Sequence, residues 1–180
     1  RMRSNSPAPR LIATFSALAA VFIAGHTHAA DNWPQFRGSE ANPAVGDNPN
    51  LPETWSTTEN VEWVADVTGL GWSSPVVWGN RIFLTTVGAT GDFERPKEGL
   101  YNGMGRPVPP DVEQSWYVYC VGLETGALLW RQLVHQGKPA FARHPKSTYA
   151  SATPTTDGER VYALFGDLGI FCFDMEGNEV

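Results

Sequence analysis

One ten-residue template appears twice in this chain. Pro75-Val-Val-Trp-Gly-Asn-Arg-Ile-Phe-Leu84 lies without a gap on Pro154-Thr-Thr-Asp-Gly-Glu-Arg-Val-Tyr-Ala163, and proline, glycine, arginine and the apolar sites coincide. Downstream, Cys120-Val-Gly-Leu-Glu-Thr-Gly126 matches Cys172-Phe-Asp-Met-Glu-Gly177 with one residue removed. A chain that reuses a template must build one supersecondary unit twice and bury each copy against its neighbour. The first copy is longer because roughly 27 residues, from Ala89 to Gln114, are inserted in it; without them the period is near fifty.

Both copies read as β-structure. From Val61 onward, short β-branched and aromatic runs alternate with Gly, Asn, Asp and Pro, and no 3.6-residue period is sustained. The predicted strands are Val61–Asp66, Ser73–Trp78, Arg81–Val87, Trp116–Leu123, Ala127–Val134, Ala152–Thr156, Arg160–Phe165 and Gly169–Asp174. Gly79-Asn80 and Asp157-Gly158 are pairs that tolerate positive φ and so close tight hairpins. The expected fold is all-β, a β-propeller of four-stranded antiparallel blades. Residues 31–59 are then an extended lead-in, 60–66 an early strand, 73–134 blade one and 151–180 an incomplete blade two. A ring needs typically 4 to 8 such blades of roughly 40 to 50 residues, so only its first one to two blades are present. The opening Arg1-Met2 and the unfinished unit at Glu179-Val180 read as part of a longer chain whose C-terminal blades are missing. Alone, this part is expected to aggregate through open edges.

The first thirty residues read as a secretory leader. Arg1, Arg3 and Arg10 precede an uncharged apolar run from Leu11 to Gly25, and Thr27, Ala29 and Ala30 are small residues suited to cleavage after Ala29 or Ala30. The run is 15 residues long, whereas a helix needs roughly 20 to cross a bilayer. The mature chain is therefore expected to have no membrane span and to be periplasmic or secreted. No cysteine follows the cleavage region, so it is not expected to be a lipoprotein. The leader removes three arginines and no acid, taking the net charge from −6 to −9. That balance opposes binding to phosphate backbones, so nucleic acid is not an expected partner. With 42% hydrophobic residues and only two cysteines, the composition is that of a globular chain and not a disordered or disulfide-built one.

Thr125-Gly126-Ala-Leu-Leu-Trp130 resembles the Thr-Gly-x-x-x-Trp core of the Ala-x-Asp-x-x-Thr-Gly-x-x-x-Trp motif in pyrroloquinoline quinone (PQQ)-type propeller repeats. Cys120 stands at the Ala position and Gly122 at the Asp position; the second unit keeps Asp174, has Cys172 for Ala and Gly177 for the glycine, and lacks the Thr. Asn32-Trp-Pro-Gln-Phe-Arg-Gly38 and Gly71-Trp-Ser-Ser-Pro75 are similar to the opening of secreted bacterial members. The resemblance spans roughly residues 32 to 180. It implies that Trp130 packs between blades and has no chemical role. Trp63 holds a comparable place on the early strand.

In a four-stranded propeller the second-to-third and fourth-to-first connections share a rim. Ala89–Gln114, which carries Asp92, Glu94, Glu98, Asp111 and Glu113, is thus expected beside His135–Tyr149, which carries Lys138, Arg143, His144, Lys146 and Tyr149. Long loops on a rigid scaffold are the usual seat of binding, and Arg143, His144, Lys146 and Tyr149 are the candidate ligand face. Alternatively the acidic insert covers the basic loop as a solvated lid. No catalytic set stands out: His135 and His144 lack companions at metal-ligand spacing, and there is no Gly-x-Ser-x-Gly. Cys120 and Cys172 either pair in an oxidising compartment or, the preferred reading because equivalent places in neighbouring units hold them apart, stay as two buried thiols. The resemblance implies two function classes. One is a non-catalytic scaffold that binds a protein or surface polymer, with no cofactor in this part. The other is a quinoprotein alcohol or sugar dehydrogenase holding PQQ and Ca²⁺, whose adjacent-cysteine pair this sequence lacks.

Overall fold

In the computed structural model, which describes residues 32–46, 48–89, 94–99 and 109–180, the repeated template folds as two hairpins of one register. The first sheet contains β1 (Val76–Trp78), β2 (Arg81–Ala89), β3 (Gln114–Gly122) and β4 (Leu128–Gly137), antiparallel and in that order. The second contains β5 (Thr155–Thr156), β6 (Arg160–Phe165) and β7 (Gly169–Asp174). The chain is thus all-β, with two small antiparallel sheets. Among the described residues the sheets do not close into a ring.

The sheets match pair by pair. In the first, Val77 pairs with Ile82, Phe83 with Cys120 and Arg81 with Gly122; in the second, Thr156 pairs with Val161, Tyr162 with Cys172 and Arg160 with Asp174. Gly79 and Gly158 both lead their turns with φ of 55° and 91°, a conformation that costs glycine little. The second turn is Gly158-Glu159, one residue later than predicted. Asp157 shifts it by accepting the Glu159 and Arg160 amides at 2.9 and 2.7 Å, and the Arg160 amide bond chiefly holds its carboxyl below the usual range. Beyond β7, Asp174 accepts the Asn178 and Glu176 amides, the chain reverses, and Glu179 bridges back to Phe173. That reversal begins where a fourth strand would run.

Six of the eight predicted strands differ, three of them, β2, β3 and β4, only by end shifts of one to three residues. β1 and β5 start at Val76 and Thr155, later than Ser73 and Ala152, because each follows a proline that cannot donate to a ladder. Residues 61–66 join no ladder at all. Strand-like sequence there finds its partner through side chains: the Trp63 indole donates to the Leu123 carbonyl at 2.9 Å, and its ring closes on Gly126. The lead-in does join both sheets. Trp33 exchanges two 2.8 Å bonds with Val77 on β1, and Pro34 accepts the Thr156 amide on β5 at 2.9 Å.

The core lies between the sheets. Phe83, Val87, Trp116, Val118 and Cys120 of the first sheet and Val161, Ala163 and Phe165 of the second are fully buried. Strand alternation selects these residues, since side chains two apart share a face. Trp130 on β4 bridges both clusters, with ring centroids 5.8 Å from Phe83 and 6.2 Å from Phe173. Its indole donates to the Met175 carbonyl at 3.0 Å, and a Cβ at Gly177 would fall 2.8 Å from its ring. Leu123 and Met175 are equivalent, as are Gly126 and Gly177, so Trp63 and Trp130 perform one docking operation on successive units.

The packing is head-to-tail. Register equates Phe83, Thr85, Val118 and Cys120, all fully buried, with Tyr162, Leu164, Ile170 and Cys172. These last four lie on the outward side of the second sheet, where Ile170 is 71% and Leu164 45% exposed. Each sheet therefore has two different faces, and the first sheet applies one to the other face of the second.

Candidate functional site

The two long connections meet on one rim, as the strand order requires. Arg143 is the clasp. Its guanidinium donates to the carbonyls of Ser147 at 2.7 Å and Glu94 at 2.5 Å, more weakly to His144 and Pro145, and lies 3.7 Å from the Glu94 carboxylate. The Lys97 amide adds a bond to Pro145, and Lys138 pairs with Asp111 at 2.5 Å, which lowers the Asp111 pKa. The acidic insert thus lies against the basic loop through its described ends, 94–99 and 109–113. Asp92, Pro107 and the leader, residues 1–30, fall outside the described residues.

The four candidate ligand residues divide. Arg143 is buried and committed to the loop's own carbonyls, and Tyr149, also buried, donates its hydroxyl to Phe141 at 2.7 Å. Both are positioning residues, because their polar atoms hold backbone. His144 is exposed at a turn, where its Nδ1 accepts the Lys146 amide at 3.2 Å, and Lys146 is half-buried beside it. Neither His144 nor Lys146 lines the cavity described next.

Arg143 and Tyr149 form the wall of a cavity of about 380 Å³, together with Phe141, Thr148, Ser151, Leu164 and Asp167. Asp167 comes from the short β6–β7 turn, the second unit's equivalent of the large insert. Its Oδ2 is shut away from solvent without a hydrogen-bond partner, and burial pushes its pKa up, against a smaller opposing pull from His135. The other orphaned buried atoms of the described residues, Gln114 Oε1 and Trp116 Nε1, belong to the β3 end on this rim. Trp116 meets His135 in a tilted contact at 5.2 Å and Tyr149 edge-on at 6.1 Å. Sequence reading missed Asp167, Ser151 and Phe141. The signal for Asp167 was present: aligning the units puts Gly166-Asp167-Leu168 opposite the insert.

The blade-motif residues have structural duties. Thr125 accepts the Ala127 amide at 3.2 Å and Gly126 turns at φ 68°, so β3 reverses into β4. Asp174 anchors the equivalent turn at Gly177, φ 90°. Cys120 is buried and Cys172 partly so, both as free thiols. Burial raises the Cys120 pKa to about 12. Ellman's reagent at pH 8 is therefore expected to titrate one thiol in the native chain, and none in Cys172→Ser until denaturant is added. Two rapidly reacting thiols in the native chain would contradict this core.

Among the described residues no three His, Cys, Asp or Glu side chains are grouped to share a metal ion. No helix among them is long and apolar enough to cross a membrane. Fold and site define an all-β chain of two register-matched sheets with a loop-rim cavity. Compared with known proteins, the chain matches no family, and no characterised protein is significantly similar to it.

Proposed function

We propose that this chain is the opening part of a PQQ-type repeat β-propeller that acts outside the cytoplasm as a non-catalytic binding or assembly scaffold. The repeated docking of Trp63 on Gly126 and of Trp130 on Gly177, within two sheets of common register, carries this reading. A head-to-tail contact that uses unlike faces repeats around a ring when its rotation closes. The outward Tyr162, Leu164, Ile170 and Cys172 are the counterpart of a face already buried in the first sheet, and a further like sheet of the same chain is its natural cover. The rim, where loops are clamped onto rigid strands, is the binding side for a protein or surface polymer.

Two measurements test this. Residues 31–180 alone are expected to self-associate on size exclusion, and Leu164→Lys with Ile170→Lys to reduce that association; a sharp cooperative melt from a monomer would count against the repeat reading. Protein given PQQ and Ca²⁺ is expected to reduce no dye with alcohol or sugar substrates. Turnover would replace the scaffold reading with a dehydrogenase.

A further inference from the structure

An ion pair joins the two sheets alongside the Trp130 contact. Arg81, at the start of β2, reaches Glu176 in the turn after β7 at 3.1 Å. Both residues recur in the template. Arg160 at the start of β6 stands where Arg81 does, and Glu124 in the turn after β3 stands where Glu176 does. Strand alternation puts Arg81 on the side of Phe83 and Thr85, which meets the second sheet, and Arg160 on the side of Tyr162 and Leu164, which faces outward. The thiols mark the same relation: Arg81 and Glu176 both act electrostatically on Cys120, and Arg160 is coupled likewise to Cys172. Arg160 and Glu124 are exposed, and among the described residues neither has an ion-pair partner. Asp157, which also acts on Arg160, is already committed to the Glu159 and Arg160 amides and to the Tyr162 hydroxyl.

We propose that Arg160 and Glu124 are the two halves of a charge pair by which successive sheets select one another, so that the outward face of the second sheet takes a sheet of this template carrying a carboxylate at the Glu176 position. The inference rests on the repeat reading and names the chemistry that chooses the cover Leu164 and Ile170 require. Apolar contact is non-directional. A guanidinium that meets a carboxylate at one edge fixes register and rejects a sheet with a basic residue there. The existing pair is partly open to solvent, its side chains 38% and 66% exposed, so it acts on selection more than on strength. In residues 31–180 by themselves, the first sheet of a second copy is the probe for this face. Trp63 sits on Gly126 there as Trp130 sits on Gly177, so Glu124 is presented in the setting of Glu176.

Sedimentation equilibrium of residues 31–180 at low ionic strength tests it. Arg160→Glu and Glu124→Arg are each expected to weaken self-association about fivefold or more, through like charges facing across the contact. An equimolar mixture of the two variants recovers it, because opposite charges then face each other wherever unlike copies meet. Arg160→Gln, which adds no repulsion, weakens association about twofold, and added salt shrinks that difference. Glu124→Arg reduces the net negative charge, so a general charge effect would strengthen association instead. Neither side chain holds its own turn, since Asp157 binds the Arg160 amide and Asn80 the Glu124 amide. Stronger association of Glu124→Arg, no recovery in the mixture, or unchanged association in both reversals overturns the pairing. Where Leu164→Lys with Ile170→Lys still dissociates the chain, that failure leaves the repeat reading standing. A native chain that stays monomeric overturns both.

Discussion

Trp130→Ala is expected to remove about 3–5 kcal/mol of stability in urea denaturation, the range for deleting a large packed aromatic. That is a large share of the roughly 5–15 kcal/mol available to a domain. Three contacts are lost together: Phe83 in the first sheet, Phe173 in the second, and the bond to the Met175 carbonyl. Trp130→Phe keeps an aromatic between the sheets but drops the N–H, and is expected to cost about 1 kcal/mol for the missing hydrogen bond, with a further packing loss. Gly177→Ala attacks the same contact from the other side, since its Cβ would meet the indole at 2.8 Å on a backbone of φ 90°. A loss below about 1 kcal/mol for Trp130→Ala would show that the sheets are held by something other than this docking.

The second large effect is local. Arg143→Met retains the aliphatic stem but takes the Arg143 donors from the Ser147 and Glu94 carbonyls and the Arg143 charge from the Glu94 carboxylate. Breaking a buried charge from its partners costs about 3–5 kcal/mol, and the half-exposed Glu94 reduces that to about 2–4 kcal/mol here. Hydrogen exchange is expected to lose protection at the Lys97 and Ser147 amides while the β2–β3 ladder stays protected. Arg143→Lys restores only part of this, because one ammonium cannot span the carbonyls that a planar guanidinium bridges. Unchanged exchange at Lys97 would mean that the insert is held by contacts other than the Arg143 clasp.

The legibility of the fold followed the range of its interactions. β6 and β7 have the predicted limits because their alternation and their turn residues are local properties. The 61–66 strand failed because a ladder needs a partner edge lying alongside the segment, which the segment's own residues do not supply. Trp63 satisfies this segment through its indole and Gly126, a contact 63 residues away in sequence. Of the candidate ligand face, Arg143 and Tyr149 reached the cavity and became wall and clasp. A cationic side chain in a loop gives no sign, in sequence, of whether it meets solvent or its own backbone.

By itself, the sequence determined that two units would be built from one template, that each would be antiparallel β-structure, and where glycine would turn the chain, since strand period and positive φ are fixed within a few residues. Only the tertiary structure decided which face of each sheet is buried and that Trp130 clasps the Gly177 turn. It also decided that Asp167 and Arg143 line one cavity and that an Asp167 oxygen is unpaired. Those outcomes depend on how loops from both units crowd one rim, and burial and desolvation exist only once the distant segments have met.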